Sequence, residues 1–447
     1  MDHLTAVSNR ALLSSRHFLP LFITQFLGAF NDNLYKLAML TLIIYRLADQ
    51  SPMDEASLAN IAAGLFMLPF FLASALAGQL ADKFEKSVQI RLIKLWEVIL
   101  MCVGAYGFFT SNITLMMVIL FGMGLQSTFF GPIKYAILPQ HLKQEQLLAA
   151  NSLIEAGTFL AILLGTLLGG PLIMAENGLY WATGATIGFA LIGFCAALFI
   201  PKTPRAAPDI RLRKNFIAET RTQFKEIKKS KPIFLSVIGI SWFWMFGSVF
   251  LAQISPLAKN ILRVNEYGMT AILALFTIGV GVGSLLCNRL LKGRISAQYQ
   301  KRSLSIIGVS GVILYTLLAL YPHHTALPDA GHYLSVWDFL ATPIVWFIAL
   351  SIIGLSIGGG MFIVPLYARL QQQSNPDRVS RTIAANNVMN SIFMVMGAVF
   401  ALGIIQIGIQ LSMPLGVSEI LLIVSLLNLA FIYWLAPLER SENQTKD

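Results

Sequence analysis

Charged side chains are scarce in this sequence. Only 12% of its 447 residues are Asp, Glu, Lys or Arg, whereas 56% are hydrophobic. Soluble domains carry about 25% charged residues, so the composition excludes a soluble globular protein. Apolar runs of about 20 residues, the length that crosses a bilayer core as a helix, recur along nearly the whole chain. These runs are too long and too uniformly apolar for barrel strands, and they predict an all-α polytopic membrane protein.

Cysteine is scarce too, and motifs for enzymatic chemistry are missing. The three cysteines, Cys102, Cys195 and Cys287, lie inside apolar runs, which indicates small buried side chains and no disulfide framework. The absence of a G-x-x-x-x-G-K-[ST] signature excludes a pump driven directly by ATP. The histidines of the loop 321–339 match no metal-site spacing, and we interpret that loop as solvated. We therefore expect no enzyme, no catalytic residues, no cofactor and no metal site.

Twelve apolar segments are long enough to be membrane spans, and they form two groups of six. The first group lies near 18–46, 57–81, 88–110, 113–138, 146–174 and 178–200, and the second near 232–258, 268–292, 300–321, 340–370, 380–410 and 415–436. We expect an N-terminal six-helix bundle (1–200), a basic cytoplasmic linker (201–231) and a C-terminal six-helix bundle (232–447). The linker region includes a stretch that could form an amphipathic helix on an anionic inner leaflet.

Lys and Arg are distributed unevenly among the segments between spans. If both termini are cytoplasmic, 27 of the 32 Lys and Arg residues fall in cytoplasmic segments. Only Arg46, Lys259 and Arg263 fall on the opposite side, and Lys36 and Lys134 lie inside spans. Because basic loops stay on the cytoplasmic side of a membrane, the count predicts cytoplasmic termini. It also accounts for the net charge of +10 without nucleic acid as a partner.

An internal repeat relates the two groups of spans. Residues 131–157 and 364–392 each contain a proline, then Tyr-Ala, a polar loop and Ala-Ala-Asn. Transporters built from two parallel six-helix halves show such weak internal symmetry. The repeat therefore predicts two pseudo-symmetric bundles.

The loop between the second and third spans carries the motif "GQLADKFEK", residues 78–86. It resembles the G-x-L-A-D-R-x-G-R signature of the major facilitator superfamily, with Glu85 where glycine is usual. The resemblance implies the twelve-helix major facilitator fold. It also implies a gating role for Asp82, Lys83 and Lys86.

An acid, a base and amides interrupt the first span in the stretch "TQFLGAFNDNLYKLAML". The polar residues that we assign to a substrate site here are Gln25, Asn31, Asp32, Asn33 and Lys36. Gln25, Asp32 and Lys36 lie on one helical stripe. A charge at the bilayer centre costs about 2.5–3.5 kcal/mol on insertion scales, so it needs a partner or a polar cavity. We interpret the stripe as facing a central cavity. The alternative is that Asp32 and Lys36 neutralise each other and fix helix packing.

Spans four and five carry a second polar group, which consists of Lys134, Tyr135, Asn151 and Glu155. Asn151 and Glu155 lie on one face of span five, four residues apart. Lys134 and Glu155 either bind opposite charges of a substrate, form an inner gate, or make a static ion pair that supports the helix hairpin. We expect a further acid, Glu97 in span three, to join the charges of the 82–91 loop.

Span eleven carries asparagines on one face, Asn386 and Asn390. They could hydrogen-bond a substrate from the second half of the chain. The alternative, which we favour, is hydrogen bonding between helices, worth about 0.6 kcal/mol per bond in membranes.

The first half also resembles the lysophospholipid transporter family, a branch of the major facilitator superfamily. The resemblance lies in "GAFNDNLYK", "GQLADKFEK", "GPIKYAILP" and "AANSLIEAGTFLAILLGT", whereas the second half matches mainly by architecture. It implies a flippase that moves lysophosphatidylethanolamine and lysophosphatidylglycerol from the outer to the inner leaflet of the bacterial inner membrane. It also implies that a separate acyltransferase restores the second acyl chain of the product.

The resemblance implies how a lysophospholipid headgroup would bind. An ammonium suits Asp32 or Glu155, a phosphate suits Lys36 or Lys134, and the amides suit glycerol hydroxyls. Membrane lipids surround the protein, and a monomer is expected by analogy with the superfamily.

The main rival is a proton-coupled importer or exporter of a small amphipathic molecule. In that case Asp32 or Glu155 would carry the proton, and transport would collapse with the proton gradient. A receptor or scaffold would not need charges at the midplane of the membrane.

Overall fold

The computed structural model describes residues 9–47, 55–213, 215–324, 332–413 and 415–443, and most of them are helical. The helices are α1 (Asn9–Leu13), α2 (Leu19–Arg46), α3 (Glu55–Lys83), α4 (Lys86–Phe109), α5 (Ile113–Ala136), α6 (Leu138–His141), α7 (Gln144–Met174), α8 (Gly178–Leu198), α9 (Phe216–Lys229), α10 (Lys231–Pro256), α11 (Glu266–Leu291), α12 (Gln300–His324), α13 (Val336–Ala341), α14 (Pro343–Gln373), α15 (Val379–Leu411) and α16 (Val417–Asn443). A short π-helical turn, Leu257–Ile261, follows α10.

Twelve of the described helices are long enough to cross a bilayer. Eleven of them are also apolar enough by composition, and the twelfth, α2, holds the polar stretch of the first predicted span. The predicted all-α polytopic class is confirmed. The predicted boundaries agree with the helix ends to within a few residues, except that the last helix continues to Asn443, beyond the predicted end at 436. The protein is therefore a multi-pass membrane protein.

Polar caps explain where several helices begin. The side chain of Asn112 accepts a hydrogen bond from the backbone amide of Leu115 at 2.9 Å, which starts α5. Asn265 caps α11 in the same way through Gly268, at 3.1 Å. Each cap satisfies an amide that the first turn of a helix leaves unpaired.

The chain divides into two compact units. The first, here called the N unit, contains Thr5–Phe234 and also Leu370–Ser391 from the second half of the sequence. The second contains Leu235–Arg369 and the chain from Ile392 onward. The end of α14 and the start of α15 thus pack with first-half helices, and the contacts that hold them are described below.

Small residues allow α7 to lie directly against α2 in the N unit. A Cβ atom on Gly165 would stand 2.3 Å from the carbonyl oxygen of Phe30, and one on Gly169 would stand 2.7 Å from that of Leu34. This spacing of two glycines four residues apart lets membrane helices approach backbone to backbone. The contact fixes the part of α2 that carries Asn31 and Asp32.

We expect Gly165→Ala to destabilise the protein, because the new methyl group would overlap the α2 backbone. Overpacking of this kind costs about 1–3 kcal/mol. The matched control is Gly184→Ala in α8, where a Cβ atom meets nothing within 4 Å. Thermal unfolding in detergent should show a lower midpoint for Gly165→Ala only. Equal midpoints for the two variants would contradict the proposed close contact.

Candidate functional site

Asp32 is bound by a hydroxyl from a neighbouring helix. Its Oδ2 atom accepts a hydrogen bond from Ser127 Oγ of α5 at 2.8 Å. Lys36 instead donates to Asn33 Oδ1 at 3.2 Å, and its ammonium lies 6.0 Å from the centre of the Phe66 ring. Among the described residues Asp32 and Lys36 form no ion pair within 4 Å, so they interact only at longer range. The carboxylate is therefore not neutralised by direct contact with Lys36.

A second polar cluster lies between α2, α5 and α7. Glu155 Oε1 accepts a hydrogen bond from the Tyr135 hydroxyl, and Gln25 Oε1 accepts one from Thr158 Oγ1 at 3.0 Å. Both acceptor side chains are almost fully buried. Within the part of the chain that the structure describes, their other atoms, Glu155 Oε2 and Gln25 Nε2, have no hydrogen-bond partner.

These two unpaired atoms are chemically complementary, since one accepts and the other donates. Leaving a buried donor or acceptor unpaired costs about 1–3 kcal/mol. Native proteins rarely leave such groups without a reason, and an absent water or ligand is a common one. The cluster thus holds one unpaired acceptor on α7 and one unpaired donor on α2.

Lys134 connects the two clusters electrostatically. Its ammonium lies 4.8 Å from the centre of the Tyr135 ring and interacts with the carboxylates of both Glu155 and Asp32. Within the described part of the chain it makes no ion pair within 4 Å with either acid. A static Lys134–Glu155 contact is therefore not formed in this structure.

Asn151 is engaged within the protein. It exchanges two hydrogen bonds with Gln371 of α14: its Nδ2 atom donates to Gln371 Oε1 at 2.7 Å, and Gln371 Nε2 donates back to its Oδ1 atom at 3.0 Å. Its other amide proton goes to the Leu147 carbonyl, at 2.8 Å. The sequence did not predict a role for Gln371, because the residue type alone does not show which side chain on another helix it will bind. The substrate role of Asn151 remains a prediction.

The two α15 asparagines predicted to share a face are both buried. Asn386 is 0% exposed, and among the described residues neither atom of its amide group has a hydrogen-bond partner. The favoured interpretation as a hydrogen bond between helices is therefore not realised at Asn386 in this structure. Asn390 is 8% exposed, and substrate contact by either residue remains a prediction.

A buried ion pair lies next to the Asp32 cluster. Lys94 and Glu97 of α4 are 1% and 2% exposed, and Lys94 Nζ lies 2.5 Å from Glu97 Oε2. Glu97 also accepts hydrogen bonds from Gln126 and Asn31. The prediction that Glu97 joins the charges of the 82–91 loop is wrong, because these donors come from α2, α4 and α5. Lys94, Gln126 and Ser127 were missed, since single polar residues of these types stand in many spans.

Asp82 caps the beginning of α15. Its carboxylate accepts hydrogen bonds from the backbone amides of Ser380 and Arg381, at 3.1 and 3.2 Å, and from Arg381 Nε at 2.9 Å. An anion at a helix N-terminus is favourable because the unpaired amides carry partial positive charge. Lys83 donates to the Ile210 carbonyl at 2.9 Å, whereas Lys86 is 1% exposed. The gating role of these three residues stays a prediction.

The basic linker is held against the same region. The carbonyl and amide of Arg213 both bind the side chain of Gln79. In α9, Glu226 lies 2.7 Å from Lys229 and 3.3 Å from Arg378. The hydrogen bond from Lys229, followed by the charges of Lys229 and Arg378, lowers the pKa of Glu226. Within the N unit, the linker is thus bound to Gln79 of α3 and to Arg378 by polar contacts.

The predicted outer loop 321–339 cannot be compared as a whole, since residues 325–331 and the side chains of His323 and His324 lie outside the described residues. Among the described residues, no three His, Cys, Asp or Glu side chains form a group that could hold a metal ion.

We expect Gly28→Ala to disturb the Lys94–Glu97 pair. A Cβ atom on Gly28 would stand 2.6 Å from Lys94 Nζ. The end of a lysine usually moves at little cost, but this ammonium is buried and bound to Glu97, so its displacement should lower stability by about 1–3 kcal/mol. On the opposite side, a Cβ atom on Gly193 would stand 3.8 Å from the same Nζ. Gly193→Ala should therefore unfold like the wild type in a detergent melt, and a similar loss in both variants would count against the prediction.

We also expect Asn151 and Gln371 to be energetically coupled. Asn151→Leu or Gln371→Leu alone leaves one buried amide unpaired, at a cost of about 1–3 kcal/mol. The double variant leaves neither unpaired, so its loss of stability should be smaller than the sum of the single losses. Denaturant unfolding of the four proteins measures this coupling, and additive losses would show that the amides do not depend on each other.

Comparisons with known proteins agree with this architecture. The sequence profile of the Major Facilitator Superfamily matches residues 21–398. The lysophospholipid transporter LplT of Yersinia pestis (strain Pestoides F) is 27% identical over 410 residues, which are 90% of this chain and 89% of that protein. LplT of Yersinia pseudotuberculosis serotype O:3 (strain YPIII) has the same identity and coverage. These relatives confirm the similarity to lysophospholipid transporters that the motifs predict.

A solved structure shows the same fold. The human organic anion transporter MFSD10 (TETRAN) aligns with a TM-score of 0.72, over 96% of this chain and 99% of its own, at 15% identity. At that identity the likeness concerns the fold alone. With a superfamily profile that covers most of its length, this chain belongs to the Major Facilitator Superfamily.

Proposed function

We propose that this protein is a secondary transporter that moves lysophospholipids from the outer to the inner leaflet of the bacterial inner membrane. The observation that carries the proposal is the position of Lys134, whose charge interacts with the carboxylates of both Asp32 and Glu155. A zwitterionic headgroup needs one cation and at least one anion at fixed positions. The names of the similar proteins, lysophospholipid transporters, supply the substrate class.

The headgroup matches the groups that the protein leaves unpaired. The phosphate of lysophosphatidylethanolamine would bind Lys134, and its ammonium would bind Asp32 or Glu155 through a charge-assisted hydrogen bond. The free Gln25 amide would donate to a phosphate or glycerol oxygen. Lys36, bound to Asn33, offers a second cation for an anionic headgroup such as that of lysophosphatidylglycerol. The single acyl chain requires only an apolar path.

The proposal extends to the transport mechanism, the membrane topology and the partners of the protein. Two six-helix halves, 1–200 and 232–447 with the linker 201–231 between them, would alternately expose the site. Asp82, Lys83 and Lys86 would act at the gate, and Asn386 and Asn390 would contribute from the second half. Both termini would be cytoplasmic because of the basic loops. The chain would act as a monomer and not as an enzyme, and a separate acyltransferase would use its product.

The test is transport by purified protein in liposomes, with labelled lysophosphatidylethanolamine in one leaflet, with and without a pH gradient. We expect movement without a gradient, and a loss of about tenfold or more in Asp32→Asn and in Glu155→Gln, because each removes a charge that the headgroup needs. The control is Glu419→Gln: Glu419 accepts from the Gly416 amide at the start of α16, and a glutamine oxygen can still accept that bond. This variant should keep wild-type transport.

Two results would contradict the proposal. Movement that collapses with the proton gradient would favour the rival, a proton-coupled carrier of a small amphipathic molecule. No movement of lysophospholipid by the wild type under any gradient would exclude the proposed substrate class.

A further inference from the structure

A buried carboxylate stands behind the Asp32–Ser127 hydrogen bond and joins three helices. Glu97 of α4 receives Lys94 Nζ at 2.5 Å and Gln126 Nε2 at 3.0 Å on Oε2, and Asn31 Nδ2 at 3.4 Å on Oε1. Its three donors thus come from α4, α5 and α2. Removing a carboxylate from water is expensive unless its oxygens are paired, and here both oxygens are paired.

Two of the donors to Glu97 are sequence neighbours of the residues that form the Asp32–Ser127 hydrogen bond. Asn31 directly precedes Asp32 on α2, and Gln126 directly precedes Ser127 on α5. Glu97 therefore binds the residue before each partner of the Asp32–Ser127 bond. Holding these two neighbours fixes both the separation and the rotation of α2 and α5 at the level of Asp32.

The consequence concerns which oxygen of Asp32 is available. Ser127 binds Oδ2 at 2.8 Å, and among the described residues Oδ1 has no hydrogen-bond partner. Asp32 is partly exposed, whereas Glu97 is 2% exposed. Both oxygens of the buried Glu97 carboxylate thus accept hydrogen bonds within the protein. Asp32 accepts one through Oδ2, and its Oδ1 atom is available to a ligand.

The orientation of Gln126 supports the same arrangement. Because a carboxylate only accepts hydrogen bonds, Glu97 requires the NH2 group of Gln126 on its own side. The Gln126 oxygen then faces Ser127 Oγ, at 3.2 Å. The hydroxyl has a single proton and both neighbours are acceptors, so the proton goes to the shorter contact, the one with the Asp32 carboxylate.

We propose that Glu97, paired with Lys94, is a positioning residue that orients Asp32 Oδ1 toward the cationic part of a substrate headgroup. The inference rests on the proposed function, since it takes Asp32 as a headgroup ligand. It assigns Lys94, Glu97, Gln126 and Ser127 to headgroup selection, and none of them needs to touch the substrate. Headgroups with an ammonium should depend on this arrangement, and those without one should not.

The experiment uses a double variant that removes both buried charges, Lys94→Met with Glu97→Met. Replacing a whole buried ion pair by apolar residues is often neutral for stability, whereas removing one partner is not, so this variant is expected to fold. Initial transport rates against concentration are measured for lysophosphatidylethanolamine and lysophosphatidylglycerol in liposomes. We expect KM for the ethanolamine lipid to rise by about tenfold and KM for the glycerol lipid to change by less than about threefold.

Two variants on α5 separate positioning from packing. Ser127→Ala should reproduce the selective rise in KM, and Ser127→Thr, which keeps a hydroxyl, should restore it. Thr128→Val is the matched control, because among the described residues the Thr128 hydroxyl binds the Gly124 carbonyl of its own helix and no other group. An equal loss for both lipids in the double variant would show a merely structural role and overturn the proposal, as would unchanged KM values.

A measurement without substrate keeps the inference separate from the proposed function. Thermal unfolding gives the coupling between Asp32→Asn and Ser127→Ala, first in the wild-type background and then in the Lys94→Met, Glu97→Met background. We expect coupling in the first background and none in the second. Coupling that is absent in the wild type, or identical in both, overturns the positioning role even if no lysophospholipid is transported.

Discussion

The structure depends on how a few charges are kept inside an apolar bundle. Each buried carboxylate needs donors, and within the bilayer core these must come from the protein, because lipid tails supply none. Glu97 satisfies this need completely with donors from three helices. These hydrogen bonds therefore determine how α2, α4 and α5 are arranged. Apolar side chains are less specific in a membrane, because they pack against lipid tails as readily as against another helix.

Asp32 and Glu155 are treated differently from Glu97, and the difference indicates function. Glu97 has an ion-pair partner in direct contact, whereas neither Asp32 nor Glu155 has one within the described chain. Lys134 interacts with both acids at longer range. The protein thus surrounds Glu97 with donors but leaves Asp32 and Glu155 incompletely paired, so these two carboxylates are available to a ligand. Incompletely paired buried charges are typical of functional sites, and the ammonium of the proposed substrate would pair with one of the two acids while its phosphate binds Lys134.

Local features of the sequence were sufficient to predict the spans, α2 included. They were not sufficient to predict which residues bind the polar side chains of α2. Apolar runs of bilayer length identify membrane helices because the constraint acts within each segment. Helical spacing correctly put Asp32 and Lys36 on one stripe, yet the partner of Asp32 is Ser127, 95 positions away. Spacing shows which residues share a face and gives no information on what a neighbouring helix presents to it. Glu97 was misassigned partly for this reason: the charges of the 82–91 loop were preferred to amides on other helices, and Lys94, three positions away on the same helix, was overlooked.

Second-half residues 370–391 belong to the N unit because three polar contacts hold them: Asp82 on the start of α15, the Asn151–Gln371 amide pair, and the Glu226–Arg378 ion pair. The first is more than a cap, because Arg381 Nε and Asp82 Oδ2 form an ion pair at 2.9 Å with side chains 14% and 0% exposed. Breaking a buried pair costs about 3–5 kcal/mol, whereas an interhelical hydrogen bond in a membrane contributes about 0.6 kcal/mol and an exposed ion pair about 0–1 kcal/mol. Together these contacts are comparable with the roughly 5.5 kcal/mol of differential binding that reverses a two-state equilibrium from 1:99 to 99:1.

If the two halves rock as proposed, these contacts must open in each cycle. A headgroup that pairs its phosphate with Lys134 and its ammonium with Asp32 or Glu155 could supply free energy of that size. The contacts are thus of a strength that substrate binding can offset, which is what a reversible cycle requires.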